Sequence, residues 1–198
     1  MNTRLARSGS GLATLSLALL PAMNTPAFAE KTLSDFSAST NTAAWQIVND
    51  DVTGGISRSS LHLANGMAIF QGEVSLENHG GFASVRSLPA RYDLAGCNAF
   101  LIRVCGDGRS YKFTARTTRS FDSAVYQVAF KTKKGKWEEL CLPLKEFEPR
   151  VRGRVLSGEP PLDPEKVTSV GLLISDKQAG AFRLEVAWIK AVKLPLSQ

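Results

Sequence analysis

Residues 99–117 read AFLIRVCGDGRSYKFTART. Before the Gly106-Asp107-Gly108-Arg109 break, Phe100, Ile102 and Val104 alternate with Leu101, Arg103 and Cys105. After it, Tyr111, Phe113 and Ala115 alternate with Lys112, Thr114 and Arg116. A period of two with β-branched and aromatic residues is the signature of half-buried strands, and no helical stripe competes with it. The Asp-Gly dipeptide between the two runs reads as a hairpin turn, with glycine taking the positive φ angles. A phosphate-binding reading of these glycines needs a helix to follow them, and a strand follows instead.

The same periodicity recurs outward from this pair. Segments 44–48, 67–76, 81–88, 124–131, 137–142, 168–175 and 181–192 all read as strands. Turn signals separate them at Asn65-Gly66, His79-Gly80-Gly81, Lys134-Gly135 and Ala179-Gly180. Pro143–Phe147 and Asp163–Val167 each suit a single helical turn, and Arg150–Pro164 reads as an exposed loop. About nine strands without crossover helices predict an all-β protein, a two-sheet jelly-roll sandwich rather than a closed barrel. With no internal repeat and no linker, residues 30–198 are expected to be a single β-sandwich domain.

Residues 1–29 read differently. Arg4 and Arg7 precede an apolar stretch from Gly11 to Ala22, and Ala27-Phe28-Ala29 offers a small-x-small cleavage pattern. This predicts a signal peptide and an exported product, periplasmic or secreted, or lumenal in a photosynthetic organism. The apolar run is too short for a stable transmembrane segment.

The chain has 198 residues, 43% hydrophobic and 21% charged, which excludes disordered, collagen-like and coiled-coil classes. Its 24 basic and 18 acidic residues give a formal charge of +6. Lys131, Lys133, Lys134 and Lys136, and then Arg150, Arg152 and Arg154, are diluted by Glu138, Glu139, Glu146 and Glu148. They read as solvated edges, and no nucleic-acid partner is expected. Three cysteines and two histidines do not make a zinc site. No metal or other cofactor is expected.

Cys105 and Cys141 both fall on the outward positions of their strands, with Arg103 and with Glu139. A Cys105–Cys141 disulfide is the favoured reading, with Cys97 unpaired; three free thiols is the alternative. Asn49-Asp50-Asp51 ahead of Gly54-Gly55 reads as a capped turn rather than a calcium loop. His79 with Ser84 or Ser87 lacks any nucleophile elbow. Glu73, Glu77, Asp93 and Asp107 supply carboxylates but no defined catalytic pair. In Phe82-Ala83-Ser84-Val85-Arg86, either Phe82, Ser84 and Arg86 share an outward recognition face, or Phe82 turns inward and Arg86 meets a carboxylate across the sheet.

Taken in order, the motifs resemble a known family. They are Trp45-x-x-Val48-Asn49-Asp50-x-Val52-x-Gly54-Gly55-x-Ser57, Phe70-x-Gly72, and Leu76-Glu77-Asn78-x-Gly80-Gly81-Phe82-Ala83-Ser84-x-Arg86. Gly106-Asp107-Gly108-Arg109-x-Tyr111, Tyr126-x-x-x-Phe130-x-Thr132, Trp137 and Phe147-x-Pro149-x-x-x-Gly153 follow, then Gly171-Leu172-x-Ile174-x-Asp176-Lys177-Gln178. From about Leu33 to Ile189 this series is similar to the complex I intermediate-associated protein 30 family. Thr53 stands where that family usually has Met, and Asp51 where it often has Gly. The resemblance implies a galactose-binding-domain-like sandwich and an assembly factor rather than an enzyme.

The expected function is therefore a non-catalytic binding or assembly factor that engages a protein client or an envelope or membrane complex. Asn49, Asp50, Gly54, Gly55, Ser57, Phe82, Ser84, Arg86, Asp107 and Arg109 are its candidate binding residues. A jelly-roll carbohydrate-binding module is the alternative, with Trp45, Phe82, Tyr92, Tyr111 and Trp137 as rings to stack on a glycan.

Overall fold

The computed structural model describes residues 30–37, 42–120 and 123–195. The expected signal peptide, 1–29, lies outside them. Thirteen strands run through the described residues: β1 (Glu30–Asp35), β2 (Trp45–Ile47), β3 (Arg58–Ala64), β4 (Met67–Val74), β5 (Ala83–Ser87), β6 (Ala99–Gly106) and β7 (Ser110–Arg116). They continue as β8 (Val125–Lys131), β9 (Trp137–Pro143), β10 (Glu148–Val151), β11 (Arg154–Val155), β12 (Ser169–Ile174) and β13 (Gly180–Val192). The first sheet has the order β3-β4-β13-β6-β9 with β1 also on β13, and the second β11-β10-β8-β7-β12-β5-β2. Every strand pair is antiparallel, so the fold is the expected β-sandwich, with thirteen strands rather than about nine. Among the described residues no helix is long and apolar enough to cross a membrane.

All nine segments read from the sequence are strands, and single 3₁₀ turns occupy Leu144–Glu146 and Pro164–Lys166. The four added strands are edge or near-edge elements whose weak apolar content hid them. β3 opens on Arg58-Ser59-Ser60 and pairs with β4 through the Asn65-Gly66 turn, where both residues have positive φ. The end of β10 and all of β11 fall within the stretch expected to be a loop; Arg152 and Gly153, both at positive φ, turn one onto the other.

β13 is the spine of the first sheet. Its first half pairs with β4 and its second half with β1 on one side, while β6 runs along the other. Phe182, Leu184 and Val186 are buried, then Ile189 and Ala191, so the inward parity changes mid-strand. A β-bulge between Val186 and Trp188 absorbs the extra residue. The two sheets meet across aromatic rings. Phe100 of β6 packs on Phe113 of β7 at 5.0 Å and on Phe147 at 5.7 Å, and Tyr111 meets Phe182 at 6.5 Å.

Two expectations are corrected by the topology. Gly106-Asp107-Gly108-Arg109 is not a hairpin, because β6 lies in the first sheet and β7 in the second. It is a corner that carries the chain between layers, with Gly108 at φ 94°. The Cys105–Cys141 bridge is also excluded. β6 and β9 are neighbours, as supposed, but Cys105 stands opposite Trp137 and Cys141 opposite Leu101. Four strand positions separate them, about 13 Å, which is beyond disulfide reach. Cys97, Cys105 and Cys141 are all free. Thiol titration of the unfolded chain is accordingly expected to count three thiols with or without reductant; a pair that appears only on reduction would contradict the register.

Gly72 marks the closest approach of β3 to β4. A Cβ there would sit 2.0 Å from the Arg58 carbonyl oxygen and 2.7 Å from Ser59 Cα, both backbone atoms. Gly72→Ala is expected to cost about 1–3 kcal/mol through overpacking, read as a lowered urea midpoint. An unchanged midpoint would show that the β3–β4 approach is looser than described.

Candidate functional site

Asn49 and Asp50 leave β2 and enter a 3₁₀ turn, Asp50–Thr53. The Asp50 side chain is 0% exposed. A buried carboxylate must be met by donors, and four meet it. Oδ1 accepts from the Ser57 amide (2.9 Å), while Oδ2 accepts from the Ser57 hydroxyl (2.5 Å) and from the amides of Gly81 (2.7 Å) and Phe82 (3.2 Å). The cradle has no spare room: a Cβ on Gly55 would lie 2.4 Å from the carboxyl carbon, and one on Gly80 2.6 Å from Oδ2. Burial pushes the Asp50 pKa up, but the hydrogen bonds from Ser57, Gly81 and Phe82 more than offset it and hold the group below the usual value. N–H and O–H donors already surround the carboxylate, which is the environment of a structural anion rather than of a calcium ligand.

Asn49 extends this lock, its Oδ1 accepting from the Ser59 hydroxyl at 2.7 Å and the Ser84 amide at 3.3 Å. Ser84 in turn donates its hydroxyl to the Val48 carbonyl. Gly54 closes the turn at φ 92°, its amide donating to the Asp51 carbonyl. Asn49, Asp50, Gly54, Gly55, Ser57 and Ser84 are thus brought together, as a frame joining the ends of β2, β3, β4 and β5. Phe82 is half-buried beside it.

Asp107 and Arg109 form a second, separate cluster at the corner between the sheets. Asp107 accepts from the Tyr111 hydroxyl (3.0 Å) and from the amides of Arg109 (3.1 Å) and Arg183 (3.0 Å). Arg109 donates to the carbonyls of Gln178 (2.8 Å) and Ala179 (3.0 Å), and Gln178 holds the backbone of Ser110 in return. These bonds latch the loop before β13 onto the corner.

Arg86 belongs to neither cluster. Ala83, Val85 and Ser87 face the core, so Ser84 and Arg86 take the opposite face of β5. Arg86 is half-buried and, among the described residues, meets no carboxylate. With its amide oxygen toward Arg86, Gln46 of β2 accepts from Nε (2.5 Å) and Nη2 (2.8 Å). Across β12 from it lies Arg116 of β7, which the sequence reading did not single out. The Lys112-x-Thr114-x-Arg116 alternation carried the signal that all three share one outward face.

The rings proposed to stack on a glycan do not share a surface. Tyr111 is 1% exposed in the core. Trp45 packs on Phe36, and the Tyr92 hydroxyl bonds to Ser87. Trp137 lies on the first sheet, beneath the Arg103 guanidinium at 5.7 Å.

The family model described as complex I intermediate-associated protein 30 matches residues 34–186, which span both clusters and most of both sheets. The chain belongs to that family. The mouse mitochondrial complex I intermediate-associated protein 30 is 29% identical over 166 residues, covering 73% of this chain and 51% of that protein. The Drosophila melanogaster counterpart is 28% identical over 178 residues, covering 78% and 60%. The chain thus spans about half to three fifths of these relatives. In solved structures, the family 11 carbohydrate-binding module of a Clostridium thermocellum cellulosomal cellulase superposes with a TM-score of 0.63. It is 16% identical and covers 87% of this chain and 99% of that one. An agarase superposes at 0.58, with 14% identity, over 85% of this chain and 25% of its own. At such identities the likeness is one of fold.

The relatives from mouse, fly, nematode and Neurospora crassa are all mitochondrial by name, which overturns the expected export to periplasm, lumen or exterior. The physical reason lies in composition. A basic, acid-free, serine-containing start is shared by secretory and organelle-targeting segments, and residues 1–29 contain no Asp or Glu.

Asp50→Asn is expected to destabilise the fold by about 2–3 kcal/mol at neutral pH, since a neutral amide loses the charge-assisted bonds and adds a donor among donors. The native pKa lies below the unfolded one, so this contribution is present above the ordinary aspartate range and lost as pH falls through the lowered value. Denaturation midpoints of the two proteins should therefore converge in acid. A constant gap down to the lowest pH would refute the assignment.

Proposed function

We propose that this chain is a non-catalytic factor that holds a protein client during assembly of a respiratory complex. The observation that carries the reading is the extent of the family match, residues 34–186, which includes both the Asp50 lock and the Asp107–Arg109 latch. These motifs serve a rigid frame, and recognition then falls to the groups that the frame displays. Around Asp50 the lock displays Val52, Ile56 and Leu76, which are 52%, 46% and 45% exposed. Apolar side chains held on fixed loops suit a protein surface. Asp50 itself, kept ionised and enclosed by donors, has no proton to offer and no exposed oxygen for a substrate. The glycan reading has lost its shared aromatic face, and likeness to carbohydrate-binding modules at 16% identity does not transfer their ligand.

In the source organism, the tagged protein is expected to co-migrate with a partly built complex I on native gels. Its deletion should lower the amount of mature complex. Val52→Asp combined with Ile56→Asp should keep the fold, read by circular dichroism, and lose the co-migration. Normal complex I in the deletion strain would overturn the proposal.

A further inference from the structure

We propose that the outward face of the second sheet is a binding site for an oxyanion of the phosphoryl class, clamped between the guanidinium groups of Arg86 and Arg116. Elsewhere in this fold, arginines are paired with carboxylates or left in water. Half-buried Arg109 and Arg150 are neutralised by Asp107 and Glu148, and the more exposed Arg103 and Arg183 by Glu139 and Glu185. Arg58, Arg91, Arg119 and Arg154 are exposed to water. Arg86 and Arg116 are half-buried, and among the described residues neither has a carboxylate within ion-pair distance. Removing charge from water without a counter-charge is costly, and a bound anion supplies what the chain omits.

The register brings the pair together. Arg86 stands opposite Gly171 and Arg116 opposite Ser169, on the two sides of β12. Two strand spacings and a two-residue offset put their Cα atoms about 12 Å apart, within the joint reach of two arginine side chains. Between them Gly171 contributes no side chain. A Cβ there would meet the Val85 carbonyl oxygen at 2.5 Å, Thr114 Oγ1 at 2.8 Å and Arg86 Cβ at 3.0 Å, so β12 lies tightly between its neighbours, with the Thr114 hydroxyl between the two arginines. Burial pulls the Arg116 pKa down to about 10, with the Arg86 charge adding to it, so the two fields overlap in this space.

Arg86 is also pre-oriented. Gln46 engages Nε and Nη2 as a neutral acceptor, fixing the guanidinium plane without cancelling its charge. Two uncancelled charges match a dianion better than a single carboxylate, and guanidinium forks fit phosphoryl oxygens in bidentate pairs. The site is independent of the assembly reading, because it rests on the β5–β12–β7 face and not on the Asp50 loops.

The probes are inorganic phosphate and pyrophosphate at about pH 8, where phosphate is largely a dianion, against sodium chloride at matched ionic strength. Calorimetry should show saturable phosphate binding and a raised Tm that chloride does not reproduce. Arg86→Gln and Arg116→Met should each weaken binding by about tenfold or more, and Arg103→Gln should not. Without anion, Arg116→Met should unfold at the same Tm or higher, because it removes an uncompensated charge. A structural role for Arg116 would predict the reverse. A parallel arm with phosphatidic acid vesicles separates the sources: vesicle binding lost in Arg86→Gln supports the site with a lipid headgroup, and phosphate binding alone supports it with a soluble ester. Absence of saturable binding, binding equal in chloride, or full affinity in Arg116→Met would overturn the proposal. Complex I levels play no part in this readout, so it can fail while the assembly role stands.

Discussion

A carboxylate with no exposed surface dictates its surroundings, and Asp50 recruits them from three stretches of chain. Ser57 leads into β3, Gly81 and Phe82 lead into β5, and Asp50 itself follows β2. Because β2 and β5 belong to the second sheet and β3 to the first, one anion fastens both layers at the same end of the sandwich. The glycines beside it follow from the same demand. Gly55 and Gly80 leave the volume that the carboxylate fills, and any larger residue would displace it. At the corner between the sheets, Asp107 repeats the solution with three donors.

Much of this was legible in the sequence because a strand's period of two is set by backbone geometry alone. Phe100, Ile102 and Val104, or Tyr111, Phe113 and Ala115, announce their faces without help from the rest of the chain. The bulge in β13, a change of parity between Val186 and Ile189, was not read from the sequence. What escaped was pairing. Nothing local says that the 106–109 turn crosses between sheets or that Cys105 faces Trp137 rather than Cys141. Register is a property of two strands, and a single sequence shows only one at a time. Edge strands such as β3 escaped because serine and arginine at solvent-facing positions dilute the apolar signal.

The site residues divide along the same line. Motifs that stand out in a sequence are those a backbone cannot do without, and here Asn49, Asp50, Gly55, Ser57, Asp107 and Arg109 turned out to hold loops in place. Arg116 had no such motif around it. Its interest comes from Arg86 lying across β12, with Gly171 of β12 between them, a juxtaposition made by the sheet. Frame and recognition surface are thus written in different registers of the sequence, the first local and the second distributed over strands far apart in the chain.

The position of β13 carries a consequence for how the chain comes to be folded. It is the last described strand, yet β1, β4 and β6 all hydrogen-bond to it, and Glu30 is paired with Val192. The first layer therefore cannot close until β13 has left the ribosome. Loop closure over about 160 residues must precede its reward, so folding is slow and non-local. During synthesis the aromatic faces of β4 and β6 stay without their partner, exposed to chaperones and to misassociation.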